Sequence, residues 1–306
     1  MRKKFLQKFG SDDAFWDNNW KISSVQEAVK FCDIDALRQF FIKYFPIKGR
    51  ILEGGCGLGQ YVIYYTGLGY EIEGVDFAQK TIRAIKDYNR DVPVTVGDIK
   101  ALNYPDGYFK AYYSGGVIEH FEEGAAGVLG EARRVLDNDG IFIVTVPYVN
   151  LIRKLQDFFR FKVFRDKYIK ALDFDNREII YKTVDDCKEE NFNIQSYKFH
   201  EYQYSYREIE RILKENNFYP IFYQRIGMLW GLSDFAFFRK IFSGTKKNDS
   251  HDASGRNLEH KKTGRILNFL KRILVTEDES RFLYKILLFM PKLLFSNLII
   301  FVCKKR

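Results

Sequence analysis

Apolar and polar positions fall into regular blocks along the first half of the chain. "VQEAVKFCDIDALRQFFIKYF" sets Val25, Val29, Ile34, Leu37, Phe41 and Phe45 at spacings that keep one stripe apolar, which predicts a helix punctuated by Pro46 and Gly49. From Arg50 short apolar runs and helical periods take turns. "RILEGG", "YEIEGVD", "VPVTVGD", "YFKAYYSGG" and "GIFIVTVP" read as strands. "LGQYVIYYTGLG", "AQKTIRAIKDYN" and "GVLGEARRVLDNDG", the last with a glycine stop, read as helices. Five strands by residue 147, joined through helices by short links, imply βαβ units and a parallel sheet covered on both faces.

After Pro147 the rhythm changes. Residues 148–200 are aromatic and mixed, with a basic amphipathic stretch "LIRKLQDFFRFKVF". Alternation returns with "YSYREIERILKENNF", a helix opened by a capping box of Ser205 and Glu208, and with "YPIFYQRIG" as a strand. Residues 243–264 are polar and loop-like, 265–290 turn helical and apolar, and "SNLIIFVCKK" closes as a strand. "ILLFMPKLLFSNLIIFVC" is about long enough to span a bilayer, but Pro291, Lys292, Ser296 and Asn297 interrupt it. It reads as an interfacial amphipathic helix followed by a core strand.

Composition adds one asymmetry. The 306 residues carry a formal charge of +9. Residues 1–226 balance 33 Lys+Arg against 33 Asp+Glu, whereas residues 227–306 hold 16 against 7. The excess is therefore local, and reads either as a solvated face or as a contact surface. Cys32, Cys56, Cys187 and Cys303 lie far apart with no C-x-x-C pair, which argues against a zinc site or a disulfide framework and fits a reducing cytoplasm. The basic start "MRKKFLQKFGSDD" has no apolar stretch behind it, so no secretory signal is expected.

Chemistry concentrates in "ILEGGCGLGQYV", a strand, a glycine turn and a helix start, where ligand atoms can approach outward-pointing N–H groups. The dinucleotide pattern G-x-G-x-x-G fails at Gln60 and Val62, and no G-K-[ST] follows, which disfavours an NAD(P) oxidoreductase and a P-loop. What remains is E-x-G-x-G-x-G, Glu53 to Gly59. The next strand ends at Asp76, placed to accept ribose hydroxyls, although a carboxylate there could also cap a helix. "VGDI" ends the third strand in Asp98–Ile99, and "YYSGGVIEHF" ends the fourth in a glycine turn before Glu119 and His120.

Together these segments resemble the class I S-adenosylmethionine-dependent methyltransferases, in the branch similar to the ubiquinone/menaquinone-biosynthesis enzymes, over about residues 47–150. The resemblance implies an α/β, doubly wound, Rossmann-like sheet of seven mainly parallel strands, with N-terminal helices and a helical insertion near the C-terminus. It implies S-adenosylmethionine as methyl donor and no metal. Gly55, Gly57 and Gly59, with Cys56 between them, would border the methionine part, and Glu53 would lie beneath it. Asp76, followed by Phe77, would hold the ribose; Asp98 and Ile99 the adenine. Ser114 and Gly115 would lie near the methionine amino group. Gly54 stands where the family usually has an aliphatic residue, and Lys110 where it has an acid, for which only a surface effect is expected. The implied organisation is a helical cap (1–46), a core (47–226) with an acceptor-side insertion (148–203), a basic helical linker (227–295) and a closing strand (296–306).

Methyl transfer from a sulfonium is an in-line displacement, so the protein chiefly aligns the partners and takes up a proton. His120 beside Glu119 is the candidate base, with His200 as a second; a structural histidine at a helix start is the alternative for His120. Cys56 reads as a packing residue. "FWDNNW" (15–20) either closes over the donor or anchors the first helix. Phe158, Phe159, Phe161 and Phe164, with Arg153, Lys154, Arg160 and Arg165, could form an acceptor wall. These features and the basic C-terminal quarter fit a small-molecule, glycan or lipid-linked acceptor and a peripheral contact of 265–295 with the inner face of the membrane; a helical subdomain packed on the sheet is the alternative. Nucleic acid is disfavoured, because the basic charge is remote in sequence from the donor site and no Asn-Pro-Pro-Tyr-like motif occurs. A non-catalytic protein that binds S-adenosylmethionine as a regulatory ligand stays open.

Overall fold

The computed structural model describes residues 2–7, 16, 24–155, 168–173, 178–183, 198–233, 273–277, 279 and 282–306. In chain order the elements are β1 (Arg2–Gln7), α1 (Val25–Phe31), α2 (Arg38–Tyr44), β2 (Ile51–Gly54), α3 (Gln60–Gly67), β3 (Ile72–Asp76), α4 (Gln79–Tyr88), β4 (Val94–Val96), β5 (Phe109–Gly115), α5 (Ala126–Val135) and β6 (Leu136–Pro147). There follow β7 (Tyr168–Asp173), β8 (Glu178–Thr183), β9 (Lys198–Tyr204), α6 (Tyr206–Glu215), β10 (Phe218–Ile226), α7 (Met228–Ser233), α8 (Phe282–Phe295) and β11 (Leu298–Lys305).

Seven strands form the central sheet in the order β10-β11-β6-β5-β2-β3-β4. The pairs among β6, β5, β2, β3 and β4 are parallel; β11 runs antiparallel to both β6 and β10. Strands buried on both faces need apolar residues at successive positions, because alternate side chains point to opposite sides. Accordingly Leu52, Tyr112, Phe142 and Phe301 pack on one face with α5 and α6, while Ile51, Tyr113, Ile143 and Ile300 pack on the other with α1 to α4. Gly54 makes room across the sheet: a Cβ there would stand 2.0 Å from the Tyr112 hydroxyl. The phenol fills the volume an aliphatic side chain would otherwise take. Lys110 meets Asp137 at 2.6 Å in an exposed ion pair, a surface contact as expected.

Four features depart from the sequence expectation. The helix expected over 25–45 is two, broken where Asp33 and Asp35 accept hydrogen bonds from the Tyr64 and Tyr61 hydroxyls, and Asp35 also caps the Leu37 N–H. Ile34 at that break is exposed. "LDND" is not the end of a helix but the start of β6; Gly140 sits within that strand, where a Cβ would meet Leu136 at 2.5 Å. The N-terminal segment is not helical throughout, since "RKKFLQ" forms β1. With it comes a second sheet, β8-β7-β1-β9, in which β1 pairs parallel with β7 and antiparallel with β9. Strands β7 to β9 fall in the stretch read only as mixed. The capping box is present, with Ser205 Oγ accepting from the Glu208 N–H. Phe158, Phe159, Phe161, Phe164, Arg160, Arg165, Cys187 and the polar stretch 243–264 lie outside the described residues.

Candidate active site

The glycine turn is built by backbone geometry. Gly55 and Cys56 donate their N–H groups to the Val75 carbonyl, and Gly55, Gly57 and Gly59 all have positive φ, at 78°, 49° and 63°. L-residues with side chains rarely adopt such values, and a Cβ on Gly55 would strike Val117 at 2.5 Å. Gly115 is glycine for a similar reason, as a Cβ would stand 2.0 Å from the Tyr113 hydroxyl. These turns lie at the carboxyl edges of β2 and β5, where ligands bind in open α/β sheets.

They open onto a cavity of about 580 Å³. Glu53, Gly55, Cys56 and Gly57 line it from the glycine turn, Asp76 and Phe77 from the end of β3, Asp98 and Ile99 from the end of β4, and Gly115 and His120 from the end of β5. Asp76 is fixed rather than free to swing: Oδ2 accepts from the Gly57 N–H at 2.8 Å and Oδ1 from the Ala78 N–H at 2.9 Å. Capping and ligand-facing roles thus coincide in one carboxylate. Asp98 Oδ1 accepts from the Lys100 N–H at 2.8 Å. Glu53 is buried, and its Oε2 has no hydrogen-bond partner. Burial, with the neighbouring Asp76 charge, pushes its carboxyl well above the usual range. Burial likewise raises the Cys56 thiol, which makes it a packing residue rather than a nucleophile.

His120 closes one end. Its Nδ1 lies 2.7 Å from the His200 carbonyl oxygen. A carbonyl only accepts, so Nδ1 carries the proton, and Nε2 of the neutral ring is left as an acceptor. The Trp16 ring stands edge-on to the imidazole at 4.8 Å, and the His200 ring lies 5.2 Å away. Burial lowers the His120 pKa from its ordinary 6.5, against a smaller opposing pull from Glu201 and the His200 carbonyl. His200 is itself lowered to about 3, mainly by burial.

Of the residues singled out by sequence, Gly59, Ser114, Glu119 and His200 are off the cavity wall. Gly59 is the left-handed N-cap of α3. The Ser114 hydroxyl is fully buried. Glu119 is buried behind the turn with Oε2 unpartnered, and burial, with the Glu201 charge, raises its carboxyl well above the usual range. His200 reaches the site through its backbone. Conversely Gln60, Tyr61, Lys100, Tyr113, Val117 and Phe121 line the cavity without having been singled out. Tyr113 could have been found, being two residues before Gly115 and so on the same strand face. Trp16, within the aromatic stretch noted at the N-terminus, also lines it.

The donor set suits a ligand with positive charge and hydroxyls: a buried carboxyl with one oxygen unpartnered beneath a glycine turn, a fixed carboxylate at the second strand end, and an acid beside an apolar residue at the third. S-adenosylmethionine presents that chemistry, with its sulfonium and ammonium charges, its ribose and its adenine. Residues 52–144 match the family described as a methyltransferase domain. No curated protein matches the chain. Among solved structures it is similar to a SAM-dependent methyltransferase from Archaeoglobus fulgidus, at 16% identity over 88% of this chain and 91% of that one, TM-score 0.48. It is similar also to an S-adenosylmethionine-dependent methyltransferase from Mesorhizobium loti, at 13% identity over 88% and 98%, TM-score 0.46. A third is geranyl diphosphate C-methyltransferase from Streptomyces coelicolor, solved with Mg2+, geranyl diphosphate and S-adenosyl-L-homocysteine, at 13% identity over 88% and 78%, TM-score 0.44. The family match falls on the segment that builds the glycine turn and the three acidic strand ends, and over residues 52–144 the chain is similar to a methyltransferase domain of the class I, S-adenosylmethionine-dependent kind.

Proposed function

We propose that the protein methylates a hydroxyl oxygen of a small-molecule, glycan or lipid-linked acceptor, with His120 as general base. The observation that carries this reading is the His120 tautomer: Nδ1 is spent on the His200 carbonyl, so Nε2 is the acceptor on a ring that lines the cavity. In this reading Asp76 holds the ribose hydroxyls, Asp98 and Ile99 the adenine, and Glu53 the positively charged amino-acid end. The bound donor supplies a methyl group whose bond pair to sulfur stays with sulfur as the acceptor oxygen forms its new bond to carbon. His120 Nε2 takes the hydroxyl proton and becomes imidazolium, later released to solvent. His200 positions the ring through its carbonyl, and Trp16 packs against its edge.

Depression of the His120 pKa keeps the imidazole neutral below the ordinary value of 6.5, so the acid limb of kcat/KM is expected below that value. The test is an acceptor screen with labelled donor, including lipid extracts, followed by His120→Gln. That variant should bind S-adenosylmethionine by calorimetry as the wild type does and lose about a hundred- to ten-thousand-fold in kcat. Full turnover in the variant removes His120 as base. Unchanged donor binding in Asp76→Ala removes the donor assignment instead.

A further inference from the structure

The first turn of α3 forms part of the cavity wall but has no side-chain cap of its own. Its N-cap is Gly59, which offers no side chain to the leading N–H groups, and no acidic residue stands in the turn. Yet the turn carries Gln60 and Tyr61, both of which line the cavity, and its Val62 N–H bonds to the Glu53 carboxyl. What fixes it comes from the break between α1 and α2. Cys32 Sγ donates to the Gln60 carbonyl at 3.7 Å, and Asp35 Oδ2 accepts from the Tyr61 hydroxyl at 2.5 Å. One turn further along α3, the Tyr64 hydroxyl donates to Asp33 Oδ1 at 2.6 Å.

Asp35 does more than the break in the helix requires. Its second hydrogen bond, from the Leu37 N–H at 3.0 Å, is a local cap that a serine also makes. The reach to Tyr61 is what the aspartate adds. Burial raises the Asp35 carboxyl against the opposing pull of these two bonds. Burial and the Asp35 charge also push the Tyr61 phenol well above its usual range, so it stays a donor. The Tyr61 ring stands edge-on to Phe41 at 5.2 Å and to Tyr113 at 5.7 Å, and Tyr113 is itself on the cavity wall. Asp35 is off that wall, so the Tyr61 hydroxyl is spent behind it. We propose that Asp35 is a positioning residue for donor binding, anchoring the Tyr61 hydroxyl so that the ring stays in the wall and out of the space beside the glycine turn. A half-buried hydroxyl left without an acceptor is penalised. Without Asp35 it is satisfied by rotating into the cavity, where it competes with the donor for room. The inference rests on the donor assignment above and adds to it a residue that itself touches neither donor nor acceptor.

The experiment is titration calorimetry of S-adenosylmethionine on the full chain. Asp35→Ser keeps an oxygen for the Leu37 N–H but is too short to hold Tyr61, and should raise the donor Kd about tenfold. Adding Tyr61→Phe removes the hydroxyl that needs an acceptor and should return the Kd to within about twofold of the wild type. A merely structural Asp35 gives no such rescue, because a second lost contact adds to the first. Asp35→Thr takes the place of Asp35→Ser if that variant does not fold. An unchanged Kd in the single variant overturns the proposal, as does a loss that Tyr61→Phe leaves in place. A wild type that does not bind S-adenosylmethionine overturns the donor assignment and the inference with it, whereas either of the other two results, with the wild type binding, overturns the inference alone.

Discussion

Glu53 gives the site a proton to exchange with its ligand. Burial first, and Asp76 second, hold the carboxyl above its usual range, which biases the side chain toward its protonated form in the free protein. A cationic ligand favours the ionised form and lowers that pKa. Donor binding should therefore release a proton, and affinity should rise with pH until the pKa of the free protein is passed. Titration calorimetry in buffers of different ionisation heat measures the release directly. Glu53→Gln should abolish the buffer dependence and weaken binding, and equal heats for the wild type in all buffers would contradict the protonated state. This residue, the glycines and the two strand-end acids were legible in sequence because each sits at a fixed offset within one strand-turn unit. The orientation of His120 was not, since its partner carbonyl comes from residue 200, 80 positions along the chain. Nor does sequence tell Glu119 from His120, since adjacency says nothing about which of two neighbours faces the cavity, and here it is His120 that lines it.

Among elements, the strands of the central sheet were readable because burial on both faces leaves an unmistakable apolar run, as in "IFIVTV" of β6. Short-range pattern failed where side chains from elsewhere decide the outcome. Tyr61 and Tyr64 of α3 draw Asp35 and Asp33 out of a continuous helix, and β1 acquires strand structure from pairing with β7 and β9, about 165 and 200 residues distant. Helix α8 was legible as amphipathic, but not which face turned inward, because Lys292 finds Glu277 and Glu279 only in the fold. That cluster carries a prediction of its own. Lys292→Met leaves two carboxylates without their cation in a buried setting and should cost about 3–5 kcal/mol in urea unfolding. Adding Glu277→Gln and Glu279→Gln should restore much of the loss, since the penalty comes from unpaired charge and not from lost volume. A single-variant cost below about 1 kcal/mol, the range of exposed pairs, would mean the cluster does not anchor the helix.

At the scale of the whole molecule, the second sheet reaches the cavity through β9. That strand pairs antiparallel with β1 and carries His200, whose carbonyl accepts from His120 Nδ1, while the Tyr202 hydroxyl donates to the Glu122 carbonyl at 2.8 Å. The glycine turn, Asp76 and Asp98 belong instead to the central sheet and its carboxyl edge. Deleting residues 2–7 removes the strand that β9 pairs with, so it should lower kcat while S-adenosylmethionine affinity, read by calorimetry, stays as in the full chain. Labelled-donor turnover beside that titration separates the two sheets' contributions. A truncated protein that keeps both its fold and full turnover would mean that the His120–His200 contact does not depend on the second sheet.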